Sequence, residues 1–303
     1  MVTTCVMVHG ADNFVGARLA ARLAREEWAT VIAVKAGDSD GLSKGLNDAQ
    51  AIAHCIVGNA AQIGRCGRAL YRPIAGSTNR PRVVHLSSMS VYGSAGGIID
   101  ESSELRADVG AYAAAHRDAE AIAAQAAQAV ILRPGVEYGP ECAAWSGRVA
   151  QWLRAHRLGD LGALGDGICN LVYIDDLISV LIAALRAPGI DRAVFNVAGG
   201  AGITWNDYFT AFALALGAVP VRRIGRRRLV LETRVAAPAL RMAELLAGGL
   251  KMSFLRIPPP VPPSLLRVCR QEIVLSTALI DRTLRPQWTP LADGLRRAAE
   301  FYR

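Results

Sequence analysis

The feature that most constrains this chain is its start: a short apolar strand that runs straight into a glycine turn and then into a helix. Thr4 to His9 is rich in valine and is ended by Gly10. From residue 14 to residue 25 the apolar side chains Phe14, Leu19 and Leu23 fall at helical spacing, with Arg22 and Arg25 late in the segment. Between strand and helix lies His9-Gly10-Ala11-Asp12-Asn13-Phe14-Val15-Gly16. Glycine takes positive φ and lets backbone come close to an anion, while the helix start that follows offers free N–H groups and a partial positive charge. A strand, a glycine turn and a helix in this order form a seat for a dinucleotide pyrophosphate. Asn13 holds the middle position. Asparagine tolerates left-handed geometry best after glycine, so the turn can form, with less clearance for phosphate. Gly10, Asn13, Phe14 and Gly16 are therefore cofactor-binding candidates, against the plainer reading of an ordinary tight strand-to-helix turn.

The pattern set by the start continues. Residues 30–34, 49–57, 82–86 and 129–132 read as further short buried strands, and residues 41–48, 59–71 and 111–128 as the helices between them. Short apolar strands alternating with helices predict an α/β fold, a doubly wound, mostly parallel Rossmann sheet with helices on both faces. Beyond it, residues 175–187 read as a helix, 193–197 as a strand and 204–216 as a helix. An arginine-rich loop, a long apolar segment over 229–254 and the proline run 258–263, which no helix can cross, complete the chain. The length of 303 residues suits one large nucleotide-binding domain, residues 1–134 and 168–199, carrying a smaller substrate lobe, residues 135–167 and 200–303.

Composition narrows the function classes. Aromatic residues are 6% of the chain, so alanine, leucine and valine are expected to dominate its core. The six cysteines form no CxxC pair, which suits reduced thiols and no metal site. The chain's start lacks a basic, cleavable leader, so a cytoplasmic location is expected. No stretch of about eighteen residues stays free of charge, so no membrane span is expected. The net charge of +8 comes largely from arginine and suits phosphorylated small molecules; no nucleic-acid motif accompanies it, and nucleic acid is not an expected partner.

Several ordered segments carry a resemblance. His85-Leu86-Ser87-Ser88-Met89-Ser90-Val91-Tyr92-Gly93 resembles the strand-end segment of the extended short-chain dehydrogenase/reductase family, the NAD-dependent epimerase/dehydratase kind. Ile131-Leu132-Arg133-Pro134-Gly135-Val136-Glu137-Tyr138-Gly139-Pro140 is similar to its later strand and substrate loop. Gly165-Asp166-Gly167, Val172 to Leu177, Phe195 to Gly199 and, weakly, Gln287 to Leu291 follow in the family's order. The resemblance implies NADP or NAD as cofactor, a tyrosine acting as general acid or base, and a hydroxyl that polarises the same substrate oxygen. Carried over, Ser88 is that hydroxyl and Tyr112 the tyrosine. The family's lysine belongs one helical turn later, where this chain has His116. The exchange matters, because lowering a tyrosine from a reference pKa of about 10 by about three units takes roughly 4 kcal/mol of preferential phenolate stabilisation. A lysine cation supplies much of that, whereas an imidazole of reference pKa about 6.5 is mostly neutral at neutral pH.

The resemblance also marks departures. The stretch before Ser88 is one strand–helix unit short, so residues 30–38 fit the family's second strand or its third. As the second, Lys35 meets a 2′-phosphate and tips the choice toward NADP; as the third, Asp38 faces the adenine. Ile56 and Val57 are bulky where the family has small residues near the cofactor, and Pro134 is the cofactor contact on the later strand. Ser90, Val136, Glu137, Tyr138 and Arg222 are the implied substrate contacts, with the arginines from 222 to 228 suited to a diphosphate, against the plainer reading of a solvated basic loop. The family implies a homodimer through the helix bearing Tyr112 and the helix near 59–71. The expected activity is an NAD(P)-dependent oxidoreductase or epimerase/dehydratase acting on a hydroxyl or carbonyl carbon of a small substrate, a nucleotide sugar or a hydrophobic alcohol or ketone. The rival is a catalytically degenerate or non-redox relative that keeps the pocket for binding or another reaction.

Overall fold

A computed structural model describes residues 3–77, 80–125, 129–200, 202–231 and 261–303. The strands are β1 (Thr4–His9), β2 (Ala29–Val34), β3 (Ala51–His54), β4 (Arg82–Leu86), β5 (Gly97–Ile99), β6 (Ala129–Pro134), β7 (Val136–Tyr138), β8 (Leu171–Tyr173), β9 (Val194–Val197) and β10 (Ile273–Leu275). The helices are α1 (Phe14–Leu23), α2 (Ser39–Asp48), α3 (Ala60–Gly76), α4 (Ala111–Ala123), α5 (Arg148–Arg154), α6 (Ile174–Arg186), α7 (Trp205–Ala215), α8 (Arg226–Leu231), α9 (Pro263–Val268), α10 (Ala278–Thr283) and α11 (Leu291–Tyr302). The apolar segment expected from residue 229 and the start of the proline run fall largely on residues 232–260, outside the described residues. No helix among the described residues is long and apolar enough to cross a membrane.

Six strands form one sheet in the order β2-β1-β3-β4-β6-β9, and every neighbouring pair is parallel. A parallel sheet covered on both faces should be apolar throughout, and β3 is buried at all four positions. The doubly wound order places the second strand beside the first and the third outside it. Here β2 lies against β1 and forms the border of the sheet, and α2 leads directly to β3 on the other side of β1. Residues 29–34 thus take the second position, the reading as a third strand is set aside, and the missing unit is the outer one.

Two compact units share the chain. The first is Met1–Gly135, Val172–Gly199 and Leu275–Trp288; the second is Val136–Leu171, Gly200–Val274 and Thr289–Arg303. The stretch 275–288 groups with the first unit, where the sequence reading placed all of 200–303 in the lobe. The first unit's core follows expectation: Val34, Leu42, Ala49, Leu70, Val83, Ala123 and Ala129 make up most of one buried cluster, with Met7, Ile52, Tyr71 and Ile74. The second unit's core does not. Its buried centre is aromatic: Trp205, Tyr208, Phe209 and Phe212 stand on one side of α7, and Tyr208 donates to the Trp145 carbonyl. These four aromatics fall within eight residues of α7, a local cluster that an average over 303 residues hides.

Candidate active site

Doubly wound folds bind ligands beyond the carboxyl ends of their strands, so the site is built from the turns that leave β1, β3 and β4. After β1, Gly10 adopts φ +93°. A Cβ at Gly16 would strike the Gly10 carbonyl oxygen, so close packing of turn and helix requires glycine there. Asn13 departs from expectation. Its backbone is extended, at φ −99° and ψ 170°, and it serves as the N-cap of α1. Its Oδ1 accepts from the Gly16 N–H at 3.0 Å, and its Nδ2 donates to the Cys55 carbonyl beyond β3. The cap wins because an asparagine oxygen satisfies one of the orphan amides of a helix start. Asp12, unnoticed in the sequence, accepts from the Ala36 N–H at 2.8 Å and ties this turn to the end of β2. The frame fits a dinucleotide: the glycines are in place, and capping by Asn13 leaves the first amides of α1, those of Phe14 and Val15, for an anion. The side chains set into it compete for the same space.

The second half of the site stands on α4, which packs on the turn Met89–Tyr92 after β4. Ser88 caps that turn, its Oγ accepting from the Ser90 N–H at 3.2 Å. Tyr112, His116 and Glu120 are four residues apart and share one stripe of α4. Tyr112 is 40% exposed. His116 is 2% exposed, lies edge-on to the Tyr112 ring at 4.6 Å, and neither of its ring nitrogens has a hydrogen-bond partner. Burial pulls its pKa down to about 4; the neighbouring His85 adds to this and Glu120 opposes it. It is a neutral imidazole at physiological pH. Glu120, one turn deeper, is fully engaged: Ser87 Oγ donates to it, and Arg133 binds it through Nε and, at 2.7 Å, through Nη2. Arg133 also donates to the Tyr92 hydroxyl at 2.9 Å, and Tyr92 donates to Asn196 Oδ1 at 2.6 Å. This buried network joins β4, β6 and β9 beneath the site.

A row of histidines went unread in the sequence. Register aligns His9 of β1 with His54 of β3, and His54 with His85 of β4. The Nδ1 atoms of His9 and His54 are 3.1 Å apart, so one carries the shared proton. His54 and His85 stack at 5.1 Å, and His85 Nδ1 shares a 2.8 Å hydrogen bond with the Tyr71 hydroxyl of α3. Burial lowers the pKa of His9 and of His85 to about 4, and that of His54 well below the usual imidazole range. The signal was available in part: His9 ends one expected strand, His85 stands one residue before the end of another, and His54 lies within the expected strand 49–57.

Other expected site residues have different surroundings. Lys35 is exposed at the end of β2, whereas Asp38, also exposed, caps α2 by accepting from the Gly41 N–H at 2.9 Å. Ile56 does not line an open groove; it is buried with Ile63, Cys66 and Ala119, and Ala36 and Ala115 pack against the group. Pro134 is buried at the end of β6, and the Ser90 hydroxyl is buried without a partner. The remaining substrate candidates belong to the second unit. Val136 is buried and Glu137 half-buried, and burial pushes the Glu137 carboxyl up to about 7. Tyr138, expected in the substrate cleft, is instead 2% exposed, packed on Tyr208 and against Gly294 of α11, where a Cβ would strike its hydroxyl. Arg222 is exposed, but its carbonyl accepts from Asp160 N at 3.1 Å, and the arginine run continues into α8 rather than forming a loop throughout. Among the described residues no cluster of histidine, cysteine or carboxylate side chains has the form of a metal site.

Comparison with known proteins matches residues 69–198 to the family described as NAD dependent epimerase/dehydratase. No curated protein matches the chain. Among solved structures, UDP-glucuronic acid 4-epimerase from Bacillus cereus, in complex with UDP-glucuronic acid and NAD, is 17% identical, with 99% of each chain covered and a TM-score of 0.72. The dTDP-glucose 4,6-dehydratase of Bacillus anthracis in complex with NAD is 14% identical over 99% of this chain and 96% of its own, at 0.72. RMD from Pseudomonas aeruginosa, complexed with NADPH, is 16% identical over 99% and 97%, at 0.69. At such identities the likeness establishes the fold.

Proposed function

From the match of residues 69–198 to the NAD dependent epimerase/dehydratase family, we propose that the chain binds NADP or NAD in its first unit and acts on a hydroxyl or carbonyl carbon of a small substrate. The observation that carries this reading is the stripe on α4: an exposed phenol, Tyr112, backed by a buried imidazole with both nitrogens free. Tyr112 exchanges the proton with the substrate oxygen, and Ser88 polarises that oxygen. When bound, the nicotinamide supplies the hydride acceptor or donor. His116 orients the phenol by ring contact but lends it no charge at neutral pH, since burial holds the imidazole neutral. Nucleotide sugars lead the substrate classes, because the arginines at 222, 223 and 226–228 suit a diphosphate and related folds hold UDP-glucuronic acid. Lys35 at the end of β2 favours NADP.

The test is reduction of NADP or NAD against a panel of nucleotide sugars and hydrophobic alcohols, in the native protein and in His116→Lys. Restoring a cation beside the phenol is expected to raise the rate at neutral pH by about tenfold or more. If neither protein moves hydride, the redox reading fails. The second reading, a relative that retains the pocket for binding or a non-redox reaction, is favoured by the neutral state of His116; it gains if His116→Lys abolishes an activity found in the native protein.

A further inference from the structure

We infer that the pyrophosphate seat between β1 and α1 is latched shut by the chain's own Asp12 and Asn13, so that a dinucleotide must displace these side chains to enter. The inference rests on the nucleotide-binding reading above and concerns how tightly that ligand is held.

Both ends of the Asn13 side chain are engaged. The oxygen takes the Gly16 amide, one of the donors a helix start would offer to phosphate, and the nitrogen reaches across to the Cys55 carbonyl beyond β3. The room gained by glycine at position 10 is already spent. A Cβ there would lie 2.8 Å from the Asn13 Nδ2, 2.8 Å from the Cys55 oxygen and 3.0 Å from Ile56 Cδ1. Asp12 closes the other flank: its carboxylate holds the Ala36 amide at the end of β2 and sets a negative charge in a turn built for an anion. Ile56, which approaches this turn, is itself buried with Ile63, Cys66 and Ala119, and Ala36 and Ala115 pack against that group. Two polar links and the buried Ile56 side chain thus crowd the seat. Opening it costs made hydrogen bonds as well as buried apolar contact, and both are subtracted from the affinity of whatever enters.

The test measures binding without turnover. Isothermal titration calorimetry with NADP, NAD and ADP-ribose is run on the native protein, Asn13→Gly, Asn13→Ala and Asp12→Ala. The extended backbone at Asn13 suits alanine as well as glycine, and circular dichroism establishes that each variant is folded. Releasing the latch is expected to tighten binding by about tenfold in either Asn13 variant, since about 1.4 kcal/mol of made hydrogen bonding is no longer displaced. Asp12→Ala tightens it several-fold and most at low salt, where the carboxylate's repulsion of phosphate is least screened. Folded Asn13 variants that bind like the native protein, or more weakly, overturn the latch. If all four proteins bind none of the three ligands, the nucleotide-binding reading falls with it.

Discussion

One turn of α4 separates two buried polar side chains with opposite fates. Glu120 has both oxygens taken, by Ser87 and by two arms of Arg133, and the ion pair is 4% and 5% exposed. His116, four residues earlier, is as deeply buried and makes no hydrogen bond through either nitrogen. A satisfied buried network fixes strand ends in place, whereas an unsatisfied group costs about 1–3 kcal/mol and is tolerated where something else benefits. The contrast separates two roles on a single helix: Glu120 holds β4 and β6 together, and His116 faces Tyr112, the phenol proposed to exchange the proton.

The largest test of this contrast is acid. His116 shares its burial with His9, His54 and His85, and the groups facing this row are Asp12, Tyr71 and Glu120. For His9, His85 and His116 the folded pKa of about 4 lies below the unfolded value of 6.5. The unfolded chain therefore binds protons first, and the stability these imidazoles contribute is full above pH 6.5 and is lost as pH falls toward 4. Each is expected to forfeit roughly 3 kcal/mol once protonated in both states. Urea midpoints measured from pH 7 down to pH 4 should fall steeply, and a flat profile would sink the picture of a neutral row. Next in size is Arg133→Ala, which strands the Glu120 carboxylate and should cost about 3–5 kcal/mol in urea unfolding at pH 7. A loss within experimental error would make the network ornamental and erase the contrast. Smallest is His116→Leu. Removing two unsatisfied nitrogens at similar volume should leave stability within about 1 kcal/mol of the native protein, or raise it, while proton transfer at Tyr112 changes. A large destabilisation would return His116 to the scaffold.

Much of the frame was legible because it is local. The strand Thr4–His9, the glycine turn and the periodicity of α1 and α4 are written in neighbouring residues, as is the spacing from Tyr112 to His116. What escaped depends on distance along the chain or on choice among local states. Asn13 could be read as a left-handed turn residue, but only the free amide of Gly16 shows why it caps instead. Asp38 was drawn to a helix start for the same reason. The histidine row needs the register of β1, β3 and β4, and Tyr138 needs α11, which the chain reaches about 150 residues later.

The missing outer unit has a consequence for how this protein behaves in company. A second strand normally sits inside its sheet, with both sides occupied; here Ala29–Val34 forms the rim, and among the described residues it has β1 as its one neighbour. The six residues Ala-Thr-Val-Ile-Ala-Val carry no charge and no proline, the usual guards against unwanted strand addition. Half of the peptide groups along that rim are left to water, and a concentrated solution offers them other chains. Trimming the fold left it with an adhesive margin, and a lysine at outward-facing Thr30 is the smallest change that would blunt it.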